Sequence, residues 1–394
     1  MSSHGPSPAD YTSHWRSNGL CSAEISCTAT GFASGSPWAR IPTKRLAYAA
    51  RQGYFRHRTC SHCLMTSPEF AKTKSIVTSV LLMVIAGFSP ALVMGALGWT
   101  SAVNVAMLGG LATFLACTMG RGWHAGLVIS VPFSILTAFT VWSAPYALAA
   151  AVVLAVAAFL RGYGAKAGLH NALIMTVIAL GFIVASPPKF AGPLPSAIIA
   201  GMVMLATTLW VTLIVFLAKK WVHPPKLAAI DPARVIWFSS VLAIMVGVAT
   251  WFVVDFNLGH GGGWIILTIV VVYQPYLGDG FKKAGGRAIG TAIGFMIAII
   301  VGVFVTNGPI LYVLGTVCLV VAMAVMMIGK TYWWFATFIT PAIVLYNSAG
   351  STVTKVAIER VEATFIGIAG TLVVMLILLP LAKHFQRKTG ASEY

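Results

Sequence analysis

From residue 76 onward the chain is a succession of long apolar stretches. A helix needs about 20 apolar residues to cross a bilayer, and in lipid its backbone polar groups must be satisfied within the segment. The sequence therefore predicts an all-α polytopic membrane protein with about twelve transmembrane helices. They are expected over residues 76–98, 101–119, 122–142, 144–160, 168–186, 194–218, 235–255, 262–278, 284–305, 310–328, 332–349 and 354–381.

Composition and charge agree with this class. Hydrophobic residues make up 58% of the chain and charged residues 9%, which excludes an ordinary soluble domain. The net charge of +17 does not indicate nucleic-acid binding, because most basic residues fall on one side of the predicted helices. By the positive-inside rule that side and both termini are cytoplasmic. The inner side carries Lys72, Lys74, Arg121, Arg161, Lys166, Lys219, Lys220, Lys226, Arg234, Lys282, Lys283, Arg287, Lys330, Lys383, Arg387 and Lys388, and the outer side Lys189, Lys355 and Arg360.

The predicted helices fall into two units, residues 65–218 and 235–383. Their helix starts recur at a nearly constant offset, which indicates two parallel six-helix repeats. A repeat with an even number of helices keeps its orientation, so a pseudo-two-fold axis along the membrane normal is expected. Residues 219–234 are predicted as a cytoplasmic linker and residues 384–394 as a cytoplasmic tail.

Residues 1–64 differ from the rest of the chain. They are polar and lack an apolar run suited to a signal peptide, so they are predicted to be a disordered or non-native N-terminal extension, with translation starting at Met65 as an alternative. Their cysteines and histidines lack paired metal-ligand spacing. No catalytic motif stands elsewhere either. We expect the protein to bind no metal and no cofactor and to have no enzymatic activity.

Small residues recur at every fourth position along the ninth predicted helix. Such a row lets two helices approach closely in lipid. The twelfth predicted helix carries a similar row, so the two rows are predicted to pack against each other. The first row is Gly286, Gly290, Gly294, Ala298 and Gly302, and the second is Ala363, Gly367 and Thr371.

The same region carries a family resemblance. Its elements are Trp264 with Thr268, the break at Gln274-Pro275, Arg287-x-x-Gly290-Thr291-x-x-Gly294, and Arg360-Val-Glu362-Ala-Thr364-Phe-Ile-Gly367. They resemble the signature of the fusaric acid resistance and aromatic acid exporter (FUSC-like) family. The resemblance implies an inner-membrane protein that exports aromatic or other weak organic acids. Longer exporters of that family carry a soluble domain between their halves, which the short linker here replaces.

Five residues are predicted to bind the anion. Arg287 and Arg360 come near predicted helix starts at opposite ends of the membrane, where unpaired N–H groups favour anions. The alternative is an arginine that snorkels to the interface. Thr291 belongs to the same motif as Arg287. Tyr273 and Gln274 are included because the Gln274-Pro275 break frees backbone groups that must face protein or water.

Glu362 and Asp255 are predicted to couple transport to protons. Acidic side chains are costly in lipid, and none occurs between residues 70 and 230. The alternatives are an end-of-helix anchor for Glu362 and an interfacial position for Asp255. His124 and His170 are expected at the interface.

The leading hypothesis from the sequence is a proton-coupled exporter of a small organic anion. A passive anion channel resembling the plant malate channels and a non-transporting membrane scaffold are the alternatives. The lipid bilayer and the organic anion are the expected partners, nucleic acid is not, and the oligomeric state stays open.

Overall fold

The structure is a computed structural model that describes residues 68–190, 192–222, 224, 227–305, 307–328, 331–348 and 353–389. Within these ranges the chain forms twelve α-helices and no strand. They are α1 Pro68–Ala96, α2 Thr100–Met119, α3 Trp123–Ser143, α4 Ala147–Tyr163, α5 Ile174–Ala185, α6 Pro193–Leu217, α7 Pro232–Asp255, α8 Gly259–Val272, α9 Leu277–Phe304, α10 Gly308–Ile328, α11 Tyr332–Asn347 and α12 Val353–Thr389.

Each predicted apolar segment overlaps one of these helices. In the described part of the chain nine helices are long and apolar enough to cross a bilayer, and α5, α8 and α11 are shorter apolar helices. The chain is therefore a multi-pass helical membrane protein. Twelve crossings and the cytoplasmic termini remain predictions. The predicted extension over residues 1–64 lies outside the described residues.

The boundary between α8 and α9 follows from Pro275. Proline restricts the residue before it, here Gln274, to extended backbone. Helix α8 accordingly ends at Val272, two residues before Gln274. Tyr276 is extended and α9 begins at Leu277. The sequence placed Asp279, Lys282 and Lys283 in a turn, and this was wrong. They lie in the first two turns of α9, where the carboxylate of Asp279 favours the positive end of the helix dipole.

The glycine row of α9 packs mainly on α11. A Cβ at Gly290 would lie 2.5 Å from the carbonyl oxygen of Trp333, and one at Gly294 would lie 2.6 Å from that of Thr337. Gly286 also faces Trp333, at a longer distance of 3.4 Å. The two helices therefore approach backbone to backbone, as small residues allow.

The predicted contact between the two small-residue rows was wrong. Gly367 of α12 packs instead on α8, where an added Cβ would lie 2.7 Å from Cβ of Thr268. The two rows do not meet because a different short helix packs on each of them. Helix α11 packs on the row of α9, and helix α8 packs on the row of α12. Toward the end of the α9 row Gly302 does meet α12, with 2.7 Å from its notional Cβ to Cβ of Val353, and Ala298 shares an apolar cluster with Val353 and Ala357.

Helices α9 and α12 nevertheless run side by side and antiparallel. Gly280, near the start of α9, faces Met375 toward the end of α12, and Gly302, near the end of α9, faces Val353 at the start of α12. Because the helices are antiparallel, residues in the middle of α9 lie at a similar depth in the bundle to residues in the middle of α12.

The two predicted units, α1–α6 and α7–α12, meet chiefly through α4 and α7. Gly162 of α4 lies against Ser239 of α7, and Gly247 of α7 against Ala155 of α4. A two-fold axis would pair α1 with α10 in the same way, and these helices also touch, over a smaller contact. The superposition of the two units remains a prediction. The part of the linker before α7 is held by Ile230, whose backbone N–H donates to the carbonyl of Ala165.

Candidate anion site

Arg287 lies inside the bundle on α9. It follows the helix start by ten residues, about 15 Å of helix, and is 2% exposed. Its Nη1 donates to the hydroxyl of Tyr332, the first residue of α11, over 3.1 Å. Its Nε and Nη2 are buried and have no hydrogen-bond partner.

Arg360 is buried on α12, two turns from the helix start, and is 1% exposed. Its guanidinium carbon lies 3.9 Å from the centroid of the Trp264 ring, a cation–π contact. None of its three side-chain nitrogens has a hydrogen-bond partner in the described structure. The ring of Trp264 faces the charge but cannot satisfy the five N–H groups.

The two arginines are close enough for their charges to interact. The prediction that they sit at opposite ends of the membrane was therefore wrong. It placed the start of the ninth helix at residue 284, whereas α9 begins seven residues earlier and carries Arg287 deeper. Because α9 and α12 are antiparallel, Arg287 and Arg360 both lie toward the middle of the bundle. Neither is an interfacial, snorkelling side chain.

A buried hydroxyl follows each arginine by one helical turn. Thr291 comes four residues after Arg287 and Thr364 four residues after Arg360, and both hydroxyls are buried without a hydrogen-bond partner. Most other buried threonines donate to a carbonyl three or four residues earlier, as Thr268 does to Trp264 over 2.8 Å, and Thr207 is a further exception. The described part of α9 and α12 thus carries two hydroxyls and several guanidinium nitrogens that are buried donors without acceptors.

A cavity of about 230 Å³ adjoins Arg360. Its lining residues come from α8, α11 and α12 and are His260, Gly261, Trp264, Ile343, Val356, Glu359 and Arg360. Its volume is below the usual range for drug-sized ligands and is enough for a small organic acid. The aromatic face of Trp264 and the guanidinium of Arg360 meet in it. The arrangement can hold a carboxylate by hydrogen bonds and an apolar body by contact.

Tyr273 and Gln274 lie away from this arginine pair. Nε2 of Gln274 donates to the carbonyls of Val271 and Tyr273, over 2.8 and 3.2 Å, so the amide satisfies the backbone that the proline break frees. The ring of Tyr273 is buried and stacks on Phe238 of α7, with 5.5 Å between centroids. Tyr273 thus has its partner on α7, and Gln274 has its partners in the backbone of its own segment.

The two predicted proton-coupling acids are on the surface of the chain. Glu362 is exposed on α12, on the side opposite the buried Arg360 and Thr364, and Asp255 is exposed at the last residue of α7. The acid that lines the cavity is Glu359, which was not among the predicted proton-coupling residues.

A second group of cationic residues was missed. Arg161, in the last turn of α4, is 1% exposed, although the sequence had counted it as a loop residue. Its Nε donates to the carbonyl of His170 over 3.1 Å, and its charge interacts with that of Lys283 on α9. The signal available in the sequence was the position of Arg161 directly after the apolar run that ends at Leu160.

His170, which was expected at the membrane interface, is part of this cationic group. Burial, and then the charges of Arg161 and Lys283, lower the pKa of His170 to about 4. The imidazole is therefore neutral near pH 7. Since its pKa in the unfolded chain is near 6.5, its contribution to stability is complete above pH 6.5 and is lost as the pH falls toward 4.

Sequence comparison identifies the part of the chain that contains the arginine pair. Residues 242–374 match the family described as fusaric acid resistance protein-like. This part of the chain resembles that family. The FUSC-like resemblance predicted from the sequence is thereby confirmed, and the FUSC-like segment includes Arg287, Thr291, Arg360 and Thr364. Arg161 and His170 lie outside it. No curated protein and no solved structure matches the chain.

Proposed function

We propose that the protein exports aromatic or other weak organic acids across a cell inner membrane, in exchange for protons. The FUSC-like segment and the apolar helices support the coarser conclusion, a multi-pass membrane protein related to transport. A protein of this kind needs a place within the bilayer where an anion is stable. The arginine pair is the residue set best suited to that.

The observation that carries the proposal is the unpaired charge of Arg287 and Arg360. No carboxylate hydrogen-bonds to either guanidinium among the described residues, and most of their nitrogens are unsatisfied. A buried charge without a partner is strongly unfavourable, and two of the same sign are more so. An anion bound between them removes this cost. Trp264 and the adjoining cavity favour an acid with an aromatic or other apolar body.

Vesicle flux tests the proposal directly. Purified protein in liposomes is expected to release aromatic carboxylates such as benzoate faster than protein-free liposomes do. Arg287→Gln should reduce the rate at least about tenfold, because charge-assisted hydrogen bonds contribute about 1.5–3 kcal/mol each. Lys282→Gln, an exposed cation on the same helix, is the matched control and should keep the rate. Equal rates in the two variants would exclude Arg287 from the anion path, and no flux at all across a panel of acids would leave a non-transporting scaffold.

The hydroxyl of Tyr332 is expected to position Arg287. Tyr332→Phe keeps the ring and removes the acceptor of Nη1, which should raise the KM for the anion a few-fold while kcat changes little. The reason is that a hydrogen bond of this kind contributes about 0.5–1.5 kcal/mol. Initial rates against substrate concentration measure both constants. Tyr146→Phe, at an exposed tyrosine before α4, is the control, and an unchanged KM in both variants would contradict the role given to Tyr332.

Proton coupling calls for a separate experiment, because Glu362 and Asp255 are both exposed whereas the arginine pair is buried. An imposed proton gradient is expected to accelerate efflux, and Glu362→Gln or Asp255→Asn should reduce that acceleration. Measuring flux with and without the gradient, at a constant anion gradient, gives the result. Flux that depends on the anion gradient alone would instead favour the second candidate, a passive organic-anion channel. The exposure of both acids, while the two arginines are buried, is the observation in favour of that candidate.

A further inference from the structure

The residues around Arg161 lie at the end of the bundle where α4 ends and α9 begins. Nη1 and Nη2 of Arg161 are buried and have no hydrogen-bond partner, while its Nε is held by the carbonyl of His170. The two terminal nitrogens form the edge of the guanidinium that binds a planar oxyanion through two parallel hydrogen bonds. The hydrogen bond from Nε to His170 therefore leaves Nη1 and Nη2 available to bind an oxyanion in a bidentate manner.

Two further groups, His170 and Lys283, lie near Arg161. Nδ1 of His170 is buried and without a hydrogen-bond partner, and the half-buried Lys283 carries a charge that interacts with both Arg161 and His170. Phe238 closes one side, 5.8 Å from the guanidinium carbon of Arg161 and 6.3 Å from the ring of His170. The carboxylate of Asp279 also acts on Lys283, but Asp279 is exposed and leaves the terminal nitrogens of Arg161 unpaired.

The cluster is connected to the arginine pair along α9. Lys283, Arg287 and Thr291 are spaced by four residues, so they lie on one face of the helix about 6 Å apart along its axis. An anion held at Arg161 is thus next to Lys283, and one turn further along the same face is Arg287. Arg161 and His170 stand outside the FUSC-like segment, so this cluster belongs to a part of the chain that the family match does not cover.

We propose that Arg161, His170 and Lys283 form a second oxyanion site, which takes a carboxylate or phosphate group at this end of the bundle. A transported organic acid and the headgroup of an anionic lipid share this chemistry. The first source rests on the proposed function, since the site would then be where the acid binds before it moves along α9 to Arg287 and Arg360. The second source requires no transport.

Binding to the purified full-length protein tests the site independently of flux. The variant Arg287→Gln with Arg360→Gln removes the deeper site and serves as the background. In this background benzoate is titrated by calorimetry in neutral detergent, and phosphatidylglycerol is titrated separately. Adding Arg161→Gln is expected to weaken binding of one of the two ligands at least about tenfold. Lys166→Gln, an exposed cation near the end of α4, should leave binding unchanged.

Each outcome has one meaning. Loss of benzoate binding with Arg161→Gln supports the site with the free acid as its source, and loss of phosphatidylglycerol binding supports it with a lipid headgroup. Lys283→Gln, at a half-buried position, should weaken the same ligand and covers the case in which Arg161→Gln does not fold. Binding of both ligands that is unaffected by Arg161→Gln and Lys283→Gln, or absent from the background, overturns the site. An absence of flux with binding intact would count against the proposed function alone.

Discussion

Arg360→Met is expected to abolish transport without lowering the stability of the protein. Arg360 is 1% exposed and its three side-chain nitrogens lack hydrogen-bond partners among the described residues, so the cation–π contact with Trp264 offsets only part of the desolvation cost of burying it. Methionine fills much of the same volume without a charge. Replacement of buried charges by apolar residues is often neutral or stabilising by about 1–4 kcal/mol. Flux of organic acids should meanwhile fall at least about tenfold, because the anion loses its charge-assisted hydrogen bonds.

The two readouts together separate a binding role from a structural one. Thermal unfolding in detergent gives the stability, and vesicle efflux gives the activity. Lys355→Met, an exposed cation on the same helix, is the matched control and should alter neither. A marked drop in melting temperature for Arg360→Met would mean that the arginine holds the fold together, and unchanged flux would exclude it from the anion path.

Gly290→Leu is expected to destabilise the protein and to reduce transport as well. Even a Cβ at this position would lie 2.5 Å from the carbonyl oxygen of Trp333 and 2.5 Å from Cβ of Ala336, so α9 and α11 must separate. Overpacking of this kind costs about 1–3 kcal/mol. The displaced part of α11 adjoins Tyr332, whose hydroxyl accepts from Arg287. The shift would therefore move the guanidinium that we assign to the anion.

A second glycine on α9 provides the control for this substitution. Gly285 is exposed and nothing lies within 4 Å of the position that its Cβ would take, so Gly285→Leu keeps the same change in composition without the clash. Melting temperature and efflux should both fall for Gly290→Leu and stay near wild type for Gly285→Leu. Equal tolerance of the two leucines would remove the glycine row from the packing of the site.

The break between α8 and α9 shows what local sequence can specify. Gln274-Pro275 predicted the interruption, because the constraint that proline places on the chain acts on the neighbouring residues alone. The position of Lys283 was mistaken, since charge near an apolar segment is compatible with both a turn and a first helical turn. The exact start of a helix such as α9 depends on its packing against the neighbouring helices, which local sequence does not show.

The arginines show what local sequence cannot specify. Arg287 and Arg360 were correctly selected as unusual charges in apolar helices, yet they were placed at opposite ends of the membrane. Their proximity depends on the start of α9 and on the antiparallel contact between α9 and α12. Arg161 was overlooked because a basic residue at a helix end is normally explained by membrane topology, whereas α4 packs on α7 and Phe238 of α7, more than seventy residues away, contacts the guanidinium.

The sequence by itself determined the class of the protein, the number and approximate extent of its helices and the FUSC-like character of residues 242–374. These follow from the length and apolarity of each segment and from short motifs, which are properties of contiguous residues. The tertiary structure decided which helix occupies the glycine row of α9, which acids are exposed and which cations meet. The reason is that lipid supplies little hydrophobic preference between one apolar helix face and another, so partners are chosen by close packing in three dimensions.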